Sequence, residues 1–115
     1  MDIITFEEKE NILIVHARSD WNIGNIKDVE AVFTMLIDKK PGTLAINCKE
    51  LVSVDSTAIA SLVKILRKTR EQGIRLVFFD LSKNIQNTFN LMTLNKFFTI
   101  MTLEKFDQEF GAATA

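Results

Sequence analysis

Leu51-Val52-Ser53-Val54-Asp55-Ser56-Thr57-Ala58-Ile59-Ala60-Ser61-Leu62 joins two stretches of different period. Before it, Thr43-Leu44-Ala45-Ile46-Asn47-Cys48 is a nearly unbroken apolar run of strand length, as expected for a strand covered on both faces. After it, Ile59, Leu62, Val63, Leu66 and Thr69 share one face of a helix that runs to about Gln72. Lys64, Arg67, Lys68 and Glu71 share the opposite face, which reads either as solvated surface or as a docking face for an acidic partner. Asp55, Ser56 and Thr57 therefore stand where a loop, residues 49–54, becomes a helix. Backbone N–H groups lack partners there and the helix dipole is positive. Asp, Ser and Thr all suit such a position as caps. A hydroxyl there is also held on a rigid support.

Working outward toward the N-terminus, residues 3–7 and 11–18 are two β-rich runs with a polar hairpin loop between them. The paired carboxylates Glu7 and Glu8 fall on that solvent-facing turn. Ile12-Leu13-Ile14-Val15 is apolar at consecutive positions, again a strand covered on both faces. Residues 19–25 read as a loop, and its Trp21 is either a core anchor or an exposed binding aromatic. Val29, Val32, Phe33, Leu36 and Ile37 form the apolar face of a helix over about residues 26–39, with Asn25 or Asn22 as its cap. Lys39-Lys40 complements its negative end, and Pro41-Gly42 stops it.

Toward the C-terminus, Gly73 suits a helix C′ position. Arg75-Leu76-Val77-Phe78-Phe79-Asp80 shows almost no alternation and reads as another buried strand. Ser82 or Asn84 caps a helix whose Ile85, Thr88, Phe89 and Met92 share a face. Thr102 starts a last helix with Leu103, Phe106 and Phe110 inward, and residues 111–115 form a loose tail. The order ββαβαβαβα predicts one α/β domain: a mixed sheet of about five strands, with about four helices mainly on one side. Its parallel neighbours should be joined by right-handed crossovers.

Composition narrows the function. The 115 residues suffice for one domain with a real core, and 47% hydrophobic content excludes a disordered chain. A net charge of −1 provides no field for nucleic acid or an anionic membrane. One Cys and one His leave no disulfide framework, His-based triad or Cys/His metal cluster. Cys48 reads as a small core residue and His16 as a structural or edge histidine. The four glycines are scattered, so no phosphate-cradling loop follows a strand. Ser56 lacks a general base other than its neighbour Asp55. The expectation is a non-enzyme without cofactor or metal. The start of the chain lacks signal-peptide character and no apolar stretch nears the ~20 residues of a membrane span, so a reducing, cytoplasmic setting is expected.

The strand, loop, Val-Asp-Ser-Thr, small residue and Ile resemble the STAS domain of bacterial anti-sigma factor antagonists. In that family the loop reads Asp-Ser-Ser/Thr-Gly-Leu. Asp55 matches the Asp, Ser56 the phosphoacceptor, Thr57 the second hydroxyl residue and Ile59 the Leu. Ala58 replaces the Gly, which requires position 58 to be helical already. Leu94, Phe98 and Ile100 match the family's closing Leu-x-x-x-Phe-x-Ile, with Phe97 extra. Asn47 stands at or near a family Asp, and Asp20 is what remains of a Gly-x-apolar-Asp strand ending. The resemblance implies a STAS domain over residues 1–110 and a flexible tail over 111–115. It implies phosphorylation of Ser56 and a partner-binding surface of Asp20, Trp21, Asp55, Ser56 and Thr57. The implied partners are an anti-sigma factor serine kinase of the histidine-kinase ATPase fold and a phosphatase, with no direct nucleic-acid contact and no membrane insertion. The unmodified domain would hold the kinase and free the sigma factor, and phosphorylation would end that complex. Two alternatives are an unphosphorylated STAS adaptor of a transporter or signalling scaffold, and a small enzyme with an unrecognised pocket.

Overall fold

The first two strands, β1 (Ile4–Lys9) and β2 (Ile12–Trp21), pair antiparallel across a two-residue turn at Glu10-Asn11, with Glu10 in the left-handed region at φ 57°. The computed structural model describes residues 3–111, so residues 112–115 of the expected tail lie outside it. Helix α1 (Ile26–Asp38) leads to β3 (Thr43–Val54), α2 (Ser56–Glu71) and β4 (Arg75–Phe79). Helix α3 (Lys83–Leu91), a 3-10 turn (Leu94–Lys96), β5 (Thr99–Met101) and α4 (Leu103–Phe110) complete the chain. The sheet order is β1-β2-β3-β4-β5, and every pair after the first is parallel.

Side chains alternate across a strand, so a strand apolar at every position needs cover on both faces. Leu13, Val15, Leu44, Ile46, Leu76 and Phe78 face α1, α2 and α3, joined by Val29, Phe33, Leu36, Leu62 and Phe89. Ile12, Ile14, Ala45, Val77 and Phe79 face the other way and meet Phe106 of α4. Phe106 stacks on Phe79 with ring centroids 3.8 Å apart. Three helices thus cover one face, and one short helix covers the other. Cys48 lies in the larger core, where burial, reinforced by the charge of Asp80, pushes its thiol far above the ordinary range.

Strands β2 and β3 are longer than expected. Residues 19–21 and 49–54 read as loops, yet Arg18 pairs with Glu50, Ser19 with Leu51, Asp20 with Ser53 and Trp21 with Val54. Two register shifts accompany this extension, between His16 and Arg18 and between Ser19 and Asp20, and Ser19 takes φ 66°. Bulges let a polar stretch stay in the ladder while re-aiming its side chains. The carboxylates Glu7 and Glu8 also lie in a strand, β1, rather than in the turn, and both are exposed.

Helix ends follow their sequence signals closely. Asp55 caps α2, Ser82 caps α3 and Thr102 caps α4, each accepting a hydrogen bond from the N–H three residues on. Asn25 occupies the N-cap of α1, but its side chain does not bond the helix. Gly73 takes φ 70° just past α2, where a side chain would be strained. Ala58 is fully buried in the third position of α2, with ordinary helical geometry.

Between α1 and α2, the Ser61 hydroxyl donates to Glu30 Oε2 at 2.6 Å and Lys64 Nζ lies 3.2 Å from the same oxygen. The Ser61 hydrogen bond, helped by Lys64 and opposed by partial burial, holds the Glu30 carboxyl below its usual range. A carboxyl depressed by folding stabilises the fold above its unfolded pKa, and that contribution is lost as pH falls through the folded pKa. Ser61→Ala should therefore cost about 1 kcal/mol near neutral pH. In melting curves the gap from wild type should narrow below about pH 4. A gap of constant size down to about pH 3 would contradict the ionic character of this bond.

Replacing Ala58 with glycine should lower stability by about 1–2 kcal/mol, combining lost helix propensity with a lost buried methyl. Denaturant titration checks it, and a gain in stability would mean that position 58 strains the helix start.

Candidate functional site

The parallel strands β2 and β3 end side by side, and the chain turns from β3 directly into α2. Ligand sites of parallel sheets gather outside such carboxyl ends. Asp55 organises this one. Its N–H donates to Trp21 O at 3.2 Å, tying it to the end of β2. Its Oδ1 accepts from Ala58 N at 2.9 Å, capping α2. Its Oδ2 accepts from Ile23 N at 3.0 Å, fixing the loop between β2 and α1. One carboxylate therefore joins a helix start to a neighbouring loop, with both oxygens used.

The loop is also bonded internally. Asn25 Oδ1 accepts from Asn22 N at 2.9 Å, and Asn25 Nδ2 donates to Asp20 O at 2.8 Å. Asn22 Oδ1 accepts from Gly24 N at 2.9 Å. These local bonds explain why Asn25 does not cap α1 with its side chain: the loop uses both ends of its amide.

Ser56 is the first residue of α2 and is exposed. Its hydroxyl makes no hydrogen bond to another described residue. Thr57 beside it is half-buried. The amides of Ser56 and Thr57 have no carbonyl four residues back within the helix, so they remain open to an anion. Asp20 is exposed, and its Oδ1 accepts from the Ser53 hydroxyl at 2.5 Å. Asp20, Asp55, Ser56 and Thr57 thus gather at one end of the sheet.

Trp21 does not join that surface. It is fully buried, its Nε1–H donates to Ile3 O at 3.1 Å, and it meets Phe33 edge-on at 6.1 Å between centroids. The indole anchors the end of β2 beneath the loop; as a surface contact for a partner it is excluded. Facing outward instead are Ile23, 76% exposed, and Val52, 58% exposed. Neither was singled out from the sequence. Ile23 carried a faint signal as an apolar residue without periodic partners in a polar loop, and Val52 was hidden among the valines before Asp55.

Other residues are settled more simply. His16 is half-buried, with Nδ1 3.4 Å from Asn47 Nδ2 and Nε2 3.9 Å from Glu7. Asn47 also accepts from Lys49 N at 3.0 Å. Among the described residues no group of three or more His, Cys, Asp or Glu could hold a metal ion. No helix among them is long and apolar enough to cross a membrane.

Comparison with known proteins agrees with this geometry. The STAS domain family profile matches residues 4–108. A protein from Thermotoga maritima, described as a candidate anti-sigma factor antagonist, superposes with a TM-score of 0.83 at 17% identity, over 94% of both chains. The unphosphorylated form of the anti-sigma factor antagonist SpoIIAA superposes with a TM-score of 0.75 at 15% identity, over 94% of this chain and 96% of that one. The phosphorylated form of SpoIIAA, a Bacillus cell fate determinant, gives 0.69 at 14% identity, over 92% and 97%. No curated protein is significantly similar in sequence. With the profile spanning the sheet, the helices and the Asp55 turn, the chain is a member of the STAS domain family.

Proposed function

We propose that this domain is an anti-sigma factor antagonist switched by phosphorylation of Ser56. The observation that carries the proposal is the placement of that hydroxyl: exposed, without a hydrogen bond to another described residue, and held at the first residue of a helix whose cap is supplied by Asp55. A group held in place suits transfer, because the kinase need not order it. One structural neighbour, SpoIIAA, exists in phosphorylated and unphosphorylated forms, which is consistent with a fold that accommodates both states.

In this account the partner kinase, an anti-sigma factor of the histidine-kinase ATPase fold, supplies ATP, Mg²⁺ and the base. The Ser56 oxygen bonds to the γ-phosphorus, the bond to ADP breaks, and the hydroxyl proton passes to the kinase. The phosphate brings about −1.5 to −2 charges to the surface. Helix α2 tolerates that charge, since its first-turn amides and dipole face it. The domain therefore stays folded and the change is felt by the partner. Asp20 and Asp55 already place carboxylates on this surface, and further negative charge is costly where docking excludes water. A phosphatase hydrolyses the ester and restores the serine.

The test is affinity for the ATPase that co-purifies with the domain. Ser56→Asp should melt like wild type but bind at least about tenfold more weakly, about 1.4 kcal/mol. Ser56→Ala should bind and resist phosphorylation, and its melting should also be unchanged because Asp55, not Ser56, caps α2. Thr57→Ala should still accept phosphate. Wild-type affinity in Ser56→Asp, or phosphate on Thr57, would overturn the assignment. A transporter ATPase as the co-purifying protein would favour an adaptor role.

A further inference from the structure

A second surface lies farther along α2. Val63 and Leu66 of α2, with Leu94 and Phe97 at the 3-10 turn, wall a groove of about 410 Å³, flanked by Arg67 and Arg70. By helix rise, Val63 is ~10 Å and Arg70 ~21 Å along the axis from Ser56. We propose that this groove docks an acidic amphipathic helix of a partner protein, separately from the Ser56 surface.

Shape, spacing and charge support this occupant. The groove is walled by two elements and open along its length, so it accepts side chains inserted from a helix. Positions 63, 66, 67 and 70 follow i, i+3, i+4, i+7, a row that a second helix can lie along. Phe97 is 58% exposed while its neighbours Leu94 and Phe98 are 7% and 4% exposed, so the fold itself makes little use of this ring. Arg67 forms no ion pair with another described residue. Arg70 Nη2 donates to Phe97 O at 3.3 Å, which leaves the rest of its guanidinium facing out. Among the described residues lining the groove, Glu71 is the one acidic side chain. Two guanidinium groups against one carboxylate leave the rim of the groove net positive, and carboxylates flanking an apolar helix face complement it.

The probe is a displayed library of random peptides about four helical turns long. It is selected on the full chain and counter-selected on an Arg67→Glu/Arg70→Glu variant whose folding is confirmed by its melting curve. The expected result is enrichment of sequences with apolar residues at helical spacing flanked by Asp or Glu. Those peptides should shift the amide resonances of residues 63–71 and 94–97, bind about tenfold more weakly to Phe97→Ala, and bind Ser56→Asp unchanged. The last comparison separates this site from the proposed switch. Vesicles of phosphatidylcholine and phosphatidylglycerol should not perturb the same resonances. Enrichment of basic or neutral peptides, no enrichment, shifts confined to other regions, or vesicle binding through the groove would overturn the proposal.

Discussion

The Asp55 carboxylate is the interaction on which the candidate site depends. Hydrogen bonds to a charged acceptor each contribute on the order of 1.5–3 kcal/mol. The two made here reach different elements: Ala58 in the first turn of α2 and Ile23 in the loop after β2. The carboxylate can do this because its backbone is already fixed, with its N–H on Trp21 O and the indole of Trp21 buried beneath. A capping serine or threonine has a shorter side chain with a single oxygen, whereas aspartate sets a separate oxygen on each amide. Placing Asp at the cap leaves the next residue free of structural duty, and that residue is Ser56.

This division of labour matters for a switch. A phosphate attached to a capping hydroxyl would disturb the helix it caps. At Ser56 a phosphate would meet open amides and the positive end of the dipole instead. The mixed sheet beneath is covered on both faces and closely packed, so an added charge would find little in the core to rearrange. Under the proposed switch the consequence would be local: the surface around Asp20, Asp55 and Ile23 would change its charge while keeping its shape. Binding by unmodified protein would then rest on exposed apolar contacts, and release on electrostatics.

Much of this was legible in the sequence, for definable reasons. The buried strands announced themselves because both faces needed apolar residues, as in Ile12-Leu13-Ile14-Val15 and Leu76-Val77-Phe78-Phe79. Helices α1 and α2 followed from their period, and the starts of α2, α3 and α4 from capping residues. Ala58 and Gly73 could be placed from backbone angles alone. The extensions of β2 and β3 were not legible, because Ser19, Asp20, Lys49 and Glu50 look like loop residues and only tertiary pairing across bulges keeps them in the sheet. Trp21 could not be assigned from its polar neighbours, since its burial depends on Phe33 and the chain at Ile3. The second carboxylate bond of Asp55, to a loop 32 residues away in sequence, has no local signature at all.

The proposed switch requires that the cell phosphorylate this domain at Ser56, the residue after the cap. Intact-mass analysis of the protein isolated from the organism that makes it, followed by fragmentation to place any added group, tests this requirement. The account predicts a population carrying a single phosphate on Ser56, absent from Ser56→Ala and removed by a serine phosphatase. A protein that stays unmodified while its partner complex forms and dissociates, or one phosphorylated at Thr57 or elsewhere, would contradict it.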